Sequence, residues 1–261
     1  MQFSPVPKKI LKQMGYLKDQ RGIMNRYLRE NKNWEDHLKH TENFVIEAMK
    51  KHRGEQFVVL GSGWLLDFPV NEALEIAGSI ILADIVHPRQ ILHKYKTYNK
   101  ISFTEADITG GMAKSVYFAI KNKKPVTDLF LSEPLMPASS PFPASCLVIS
   151  LNILNQLDIL IVDYMRRKTR LNEDEIVQAR KFIQGTHLNF LKMHNYCLIT
   201  DCTEKIINTR DKRTTEINTV YVNLPEGSFN SQWEWKFDTH HFYQKNARTH
   251  FIVKAVYQSR T

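Results

Sequence analysis

Val58-Val59-Leu60-Gly61-Ser62-Gly63-Trp64-Leu65-Leu66-Asp67 is an apolar run that breaks into a Gly-x-Gly turn ahead of a helical segment. Glycine is needed where a chain turns sharply and where a ligand must approach the backbone with no Cβ in the way. Asp84 strengthens this reading, because it lies 23 residues after Gly61 and ends the next apolar run, Ile80 to Asp84. An acid at that strand end can accept hydrogen bonds from both hydroxyls of a ribose. A third run, Ile101 to Thr104, leads into Glu105-Ala106-Asp107-Ile108-Thr109. There Asp107 can accept from an adenine amino group while Ile108 covers the ring. Aspartate past a strand end also makes turns and caps helices, so each acid alone is ambiguous. Together with the glycine turn they describe an adenosine site spread over three consecutive strand ends.

Outward from this segment, short apolar runs alternate with helical stretches of about a dozen residues, the pattern of βαβ units and a parallel sheet. Phe57 to Leu60 is the first strand; Leu147 to Leu151 and Tyr196 to Thr200 are the fourth and fifth. Helices are expected at Val70 to Ala77, Arg89 to Tyr95, Met112 to Lys121, Ile159 to Arg167 and Glu173 to about Met193, the last with Asn172 as its cap. Trp233 to Phe237 and His250 to Tyr257 carry β-branched and aromatic residues around the turn-like Gln244-Lys245-Asn246. They read as an antiparallel hairpin closing the sheet.

Residues 1–53 form a helical segment of two or three helices, with Asn33 expected to cap one that starts at Trp34. The segment holds twelve Lys or Arg against six Asp or Glu, two thirds of the chain's net charge of +9. Clustered bases gather phosphates. A nucleic-acid surface would need Lys8, Lys9, Lys12, Arg26, Arg29 and Lys50 on one face. Interspersed acids argue for a solvated face instead. Between Lys124 and Ser145, five prolines exclude a long helix or a central strand. This loop, 124–145, is expected to be a flap beside the mouth of the site.

Composition narrows the class. Hydrophobic residues make up 43% and charged ones 24% of 261 residues, the balance of a chain that folds around one core. The most apolar stretch, Cys146 to Met165, is interrupted by Asn152, Asn155, Gln156, Asp158 and Asp163 and is no membrane span. No export signal is visible, and Cys146, Cys197 and Cys202 lack metal-ligand spacing, so reduced thiols and a cytoplasmic setting are expected. The dispersed histidines give no metal site.

These residues resemble the class I S-adenosylmethionine-dependent methyltransferases. Val58 to Gly63 is similar to the family's first motif, Asp84 to its ribose acid and Asp107-Ile108 to its adenine pair. Leu147 to Asn152 is similar to the fourth motif, whose end faces the methyl group. The resemblance covers about 55 to 258 and implies a Rossmann-like seven-stranded sheet, mostly parallel, with helices on both faces. It implies that residues 54–261 form the S-adenosylmethionine-binding domain, capped on the acceptor side by 1–53. Gly61, Ser62, Gly63, Asp67, Asp84, Asp107, Ile108 and Asn152 are then the cofactor residues. Asn152, Asp201 and His241 are the candidate catalytic residues, with His240 a further candidate base.

Two departures from the family are Val59, where an acid is frequent, and Leu65, where a third glycine is frequent. They leave recognition of the methionine amino group to Asp67. The acceptor is expected to be a small molecule. Alternatives are an RNA-modifying methyltransferase, an aminopropyl transferase similar to the nicotianamine synthases, and a dinucleotide oxidoreductase. The last is disfavoured because the Gly-x-Gly-x-x-Gly fingerprint needs glycine where Leu66 stands.

Overall fold

The computed structural model describes residues 5–137 and 139–260; the first four residues of the N-terminal segment, residue 138 of the proline-rich loop and residue 261 lie outside the described residues. Five strands form the parallel part of one sheet: β1 (Gln56–Leu60), β2 (Ser79–Asp84), β3 (Ile101–Glu105), β4 (Leu147–Leu151) and the start of β5 (Asn195–Asn208). Strand β7 (Phe229–Asp238) and strand β8 (Ala247–Gln258) form the expected hairpin, with β8 inserted beside β5. The order is β3-β2-β1-β4-β5-β8-β7. The sheet is Rossmann-like, mostly parallel, with an antiparallel C-terminal edge.

Helices cover both faces because the central strands are apolar on both. Val58 and Leu60 face one core with α1 (Lys8–Met14), α5 (Met112–Lys121), α6 (Ile159–Lys168) and α7 (Glu173–Leu191). Phe57 and Val59 face the other with α2 (Tyr16–Lys50), α3 (Val70–Ile76) and α4 (Arg89–Tyr95). Helix α7 begins at Asn172, whose side chain accepts from Glu175 N while Glu175 reciprocates, a capping box.

Three local expectations change. The described residues of the N-terminal segment hold two helices, within the two or three expected, but α2 runs without a break for 35 residues, roughly 52 Å at 1.5 Å per residue. Asn33 is therefore interior and not a cap; its Nδ2 donates to Glu30 Oε2 and to Thr239 Oγ1, each at 2.9 Å. Burial of Trp34, Phe44, Val45 and Met49 along one face overrides the local capping preference. An eighth strand, β6 (Thr214–Asn218), pairs with the far half of β5, which runs nine residues past β4's last partner, Ile199.

The described residues of the proline-rich loop do not line the site. The loop docks on α7, where Gly185 leaves room for Pro134, Thr186 Oγ1 accepts from Leu135 N and Asn189 Nδ2 donates to Pro134 O. Among its described residues none lines the cavity described below. Among the described residues no helix is long and apolar enough to cross a membrane.

Two glycines give a matched stability test. A Cβ at Gly78 would sit 2.3 Å from the backbone oxygen of Gly54, whereas one at Gly22 in α2 meets nothing within 4 Å. Gly78→Ala should destabilise the fold by about 2 kcal/mol or more, and Gly22→Ala should stabilise it by roughly 0.5–1 kcal/mol. Urea unfolding followed by far-UV circular dichroism reads both.

Candidate functional site

The carboxyl ends of β1, β2, β4 and β5 open onto one cavity of about 310 Å³, closed on the opposite side by α2 and the β7–β8 hairpin. This is the crevice where ligands bind in open α/β sheets. Its floor is the glycine turn. Gly61 and Gly63 have φ of 72° and 41°, and Gly61 N and Ser62 N both donate to Ala83 O, at 2.9 and 3.3 Å. A Cβ on Gly61 would lie 2.5 Å from Ile153 Cδ1, so no larger residue fits unless Ile153 moves. Leu65 has a φ of 54°, the left-handed conformation that costs a non-glycine residue roughly 1 kcal/mol. The backbone thus keeps a glycine-like turn where the side chain is leucine.

Asp84 stands at the end of β2 on the cavity wall. Its Oδ2 accepts from Gly63 N at 2.7 Å and its Oδ1 from Val86 N at 3.3 Å. Burial pushes its carboxyl above the ordinary range, against the opposing effects of the Gly63 amide and His87. Ile108 and Thr109 line the cavity, but Asp107 does not. Asp107 is fully buried behind them and closes its own turn, its Oδ1 accepting from Thr109 N at 3.1 Å and Thr109 Oγ1 at 2.5 Å. Its direct contact with an adenine is not supported by this placement.

The ends of β4 and β5 bring together four polar side chains on the wall. Asn152, with a φ of 46°, donates from Nδ2 to Asp67 Oδ2 at 2.7 Å. Asn155 donates from Nδ2 to Asp201 Oδ2 at 3.0 Å. Asp201 sits at the β-bulge where the β5–β8 register shifts. Burial raises the Asp201 carboxyl to about 7, with Asp67 and Glu204 pushing the same way against the Asn155 hydrogen bond. Asp67 is also raised by burial, and its bond from Asn152 opposes the shift.

Helix α2 and the hairpin supply an aromatic wall. Trp34 packs edge-on against Trp235 at 4.8 Å between ring centres and stacks on Phe237 at 5.7 Å. His37 stacks on Trp235 at 3.9 Å and its Nδ1 accepts from Trp233 Nε1 at 3.1 Å. A neutral ring therefore carries its hydrogen on Nε2, and burial holds its pKa down at about 3. Arg26 lies over Phe237 at 4.6 Å and over Tyr243 at 5.3 Å.

The hairpin histidines are turned to other work. His241 Nδ1 donates to Ala247 O at 2.7 Å, and the residue is exposed and off the cavity wall, which removes it as the base expected from the sequence. His240 is exposed and pairs with Glu30 at 2.6 Å. Burial opposes the charge on Glu30, but hydrogen bonds from His240, Asn33 and Thr239 outweigh it and hold its carboxyl at about 2. That cluster ties α2 to the hairpin.

The structure thus gathers Gly61, Ser62, Gly63, Asp67, Asp84, Ile108, Asn152 and Asp201 around one cavity and leaves Asp107 and His241 outside it. Sequence reasoning missed Asp19, Arg26 and His37 on α2 and the aromatic residues of the hairpin. Among the described residues no group of three or more His, Cys, Asp or Glu side chains is placed to hold a metal ion.

No protein-family model matches the sequence, and no curated protein sequence matches it. Solved structures do align with it. The N-methyltransferase NodS from Bradyrhizobium japonicum WM9, in complex with S-adenosyl-L-homocysteine, has a TM-score of 0.35 at 11% identity, covering 83% of this chain and 85% of that one. The DhpI–SAH complex has a TM-score of 0.35 at 10% identity, covering 96% and 98%. The 23S rRNA methyltransferase ErmE has a TM-score of 0.30 at 11% identity, covering 83% and 68%. The fold assignment rests on the strand order and not on these alignments.

Asp201 makes the site's acidity visible in stability. Its carboxyl, near 7 in the fold against an ordinary 3.8, favours the protonated form when folded. The stability this gives is complete below about pH 4 and is lost as pH rises through about 7. Asp201→Asn removes the titration. The stability of this variant, followed by Tm, should gain on that of the parent by on the order of 2 kcal/mol between pH 5 and pH 8. A gap that stays flat with pH would show that Asp201 is ionised throughout.

Proposed function

We propose that the chain is an S-adenosylmethionine-dependent methyltransferase acting on a small-molecule acceptor. The observation that carries this reading is the placement of Asp84 on the cavity wall, joined through Gly63 N to a glycine turn that has no room for a Cβ at Gly61. An acid for ribose hydroxyls beside backbone that a ligand can touch is what an adenosine cofactor requires. The cavity's size falls at the lower end of the roughly 300–1,000 Å³ of small-ligand pockets.

When bound, S-adenosylmethionine supplies a methyl group on a positively charged sulfur, already a good leaving group. The chain's own task is to place and to desolvate. Asp84 holds the ribose and Ile108 covers the base. Asp67, held by Asn152, receives the ammonium of the methionine part. Asp67 and Asp84 line the cavity, an acidic surround that suits a cationic cofactor. Asp201 accepts a proton where the acceptor needs to lose one.

Residues 1–53 then act as the acceptor-side cap, through Asp19, Gln20, Ile23 and Arg26 of α2, and 54–261 carry the cofactor. An RNA-gripping role finds little support in the basic residues. Arg26 is turned onto Phe237 and Tyr243 at the cavity, while Lys50 lies 24 residues farther along the same helix, roughly 36 Å away.

Calorimetry tests the cofactor. S-adenosylhomocysteine should bind in the micromolar range, and NADH should give no heat. Asp84→Ala should weaken binding at least tenfold, equal to about 1.4 kcal/mol or more, and Gly61→Ala should do the same by driving a Cβ into Ile153. Unchanged affinity in Asp84→Ala would sink the site map, and preferential binding of NADH would sink the methyltransferase.

A further inference from the structure

The polar end of the cavity has acceptors without donors. Asp201 Oδ1, Asn155 Oδ1 and Asn152 Oδ1 are all buried and accept no hydrogen bond. Their residues are 3%, 4% and 8% exposed and line the cavity. The Asn155 amide is oriented by its partner: its Nδ2 faces an Asp201 oxygen, so turning it would set oxygen against oxygen, whereas Asn152 Nδ2 lies between Asp67 Oδ2 at 2.7 Å and His37 Nε2 at 3.4 Å. Each NH₂ group gives a hydrogen to a carboxylate, and Asp201 Oδ1 and Asn155 Oδ1 are left without a donor. Buried acceptors without donors are costly, which makes this wall a place for a ligand that brings N–H groups.

Charge and shape narrow that ligand further. Asp67 and Glu204 act on Asp201 from beside it, so a further anionic group is disfavoured next to Asp201. An ammonium has three donors and no lone pair, whereas a hydroxyl would bring lone pairs to face these oxygens. Next to the acceptors stand the rings of Trp34, Trp235, Phe237 and Tyr243, which bind apolar bodies and attract cations. Arg26 already lies over two of these rings as a cation.

We infer that the acceptor is a primary or secondary amine on an apolar or aromatic body, its nitrogen seated between Asp201 and Asn155 and its body against Trp34 and Trp235. This rests on the methyltransferase reading for what the amine is used for, and on the cavity alone for its binding. The ammonium gives one N–H proton to the Asp201 carboxylate, which becomes a neutral acid, and the nitrogen is left with the lone pair that a nucleophile needs. Burial has already placed that carboxyl near neutrality, so it can take the proton without being a strong acid.

The test uses matched pairs on the full chain, with and without saturating S-adenosylhomocysteine: benzylamine, 2-phenylethylamine and tryptamine against benzyl alcohol, 2-phenylethanol and tryptophol. Binding is read by calorimetry and by the fluorescence of the cavity tryptophans. At least one amine should bind tenfold or more tighter than its alcohol. Asp201→Asn should erase that preference while leaving affinity for S-adenosylhomocysteine within twofold. If Asp201→Asn fails to fold, Asn155→Ala, which removes the partner of Asp201, should reduce the preference in the same way. Alcohols that match their amines, a series in which no amine binds, or a preference that survives these variants would overturn the inference. Amine selectivity lost in Asp201→Asn, in a protein that gives no heat with S-adenosylhomocysteine, would instead overturn the methyltransferase reading and leave the amine site standing.

Discussion

The Gly61–Gly63 turn is stitched to the end of β2 by three backbone donors, two on Ala83 O and one on the Asp84 carboxylate. Everything at the site hangs on this seam. It fixes where β1 stops and aims the Asp84 carboxylate at the cavity. It also presses Gly61 against Ile153, so the turn and the segment after β4 define each other's position. A carboxylate bonded to an amide in low dielectric is costly to disturb, which suits a group that must keep one orientation through binding and release.

Above this seam the cavity is shaped by packing between elements far apart in sequence. Trp34 sends its indole N–H to Phe237 O, and Glu30 gathers Thr239 and His240, so α2 is fastened to the hairpin by polar bonds at the rim and by stacked rings inside. On the other side, the bulge after Asp201 lets β5 leave β4 and continue beside β6 and β8. The acid lies where the strand changes neighbours, which turns it toward the cavity and keeps it dry.

Much of the fold is legible in the sequence because the central strands are buried on both faces and so stand out as apolar runs. Strands β1 to β4 and helices α4 to α6 fall within a residue of their expected bounds for this reason. Strand β6 is invisible because all five of its residues are exposed and only its backbone pairs. The continuity of α2 is hidden by Gly22, Asn31 and Asn33, which look like breaks until the tertiary packing that overrides them is known. At the site, acids at strand ends could be read because their spacing follows from local topology. The aromatic wall could not, since Trp34, Trp235 and Phe237 sit at positions any core would fill. Asp107 and His241 lie off the cavity wall for a related reason: sequence shows that a side chain is near a strand end or a turn, but not which local hydrogen bonds will hold it.

The uneven burial of α2 separates two properties that usually move together. From Glu30 onward a buried residue recurs at nearly every turn, whereas none of residues 16–29 is fully buried. The first half is held by specific contacts: Trp64 Nε1 on Gln20 O, Gln20 on Val86 O, and Arg26 and Arg29 over the rings of the hairpin. Regions with little buried apolar contact open locally at a small fraction of the global unfolding free energy. Because that same half lines the cavity, the traffic of ligands in and out is governed by a handful of surface contacts. Thermal endurance leans on the other half of the same helix, whose Trp34, His37 and Leu38 also line the cavity, so changes there touch both stability and the site, whereas changes in residues 16–29 leave the buried half intact.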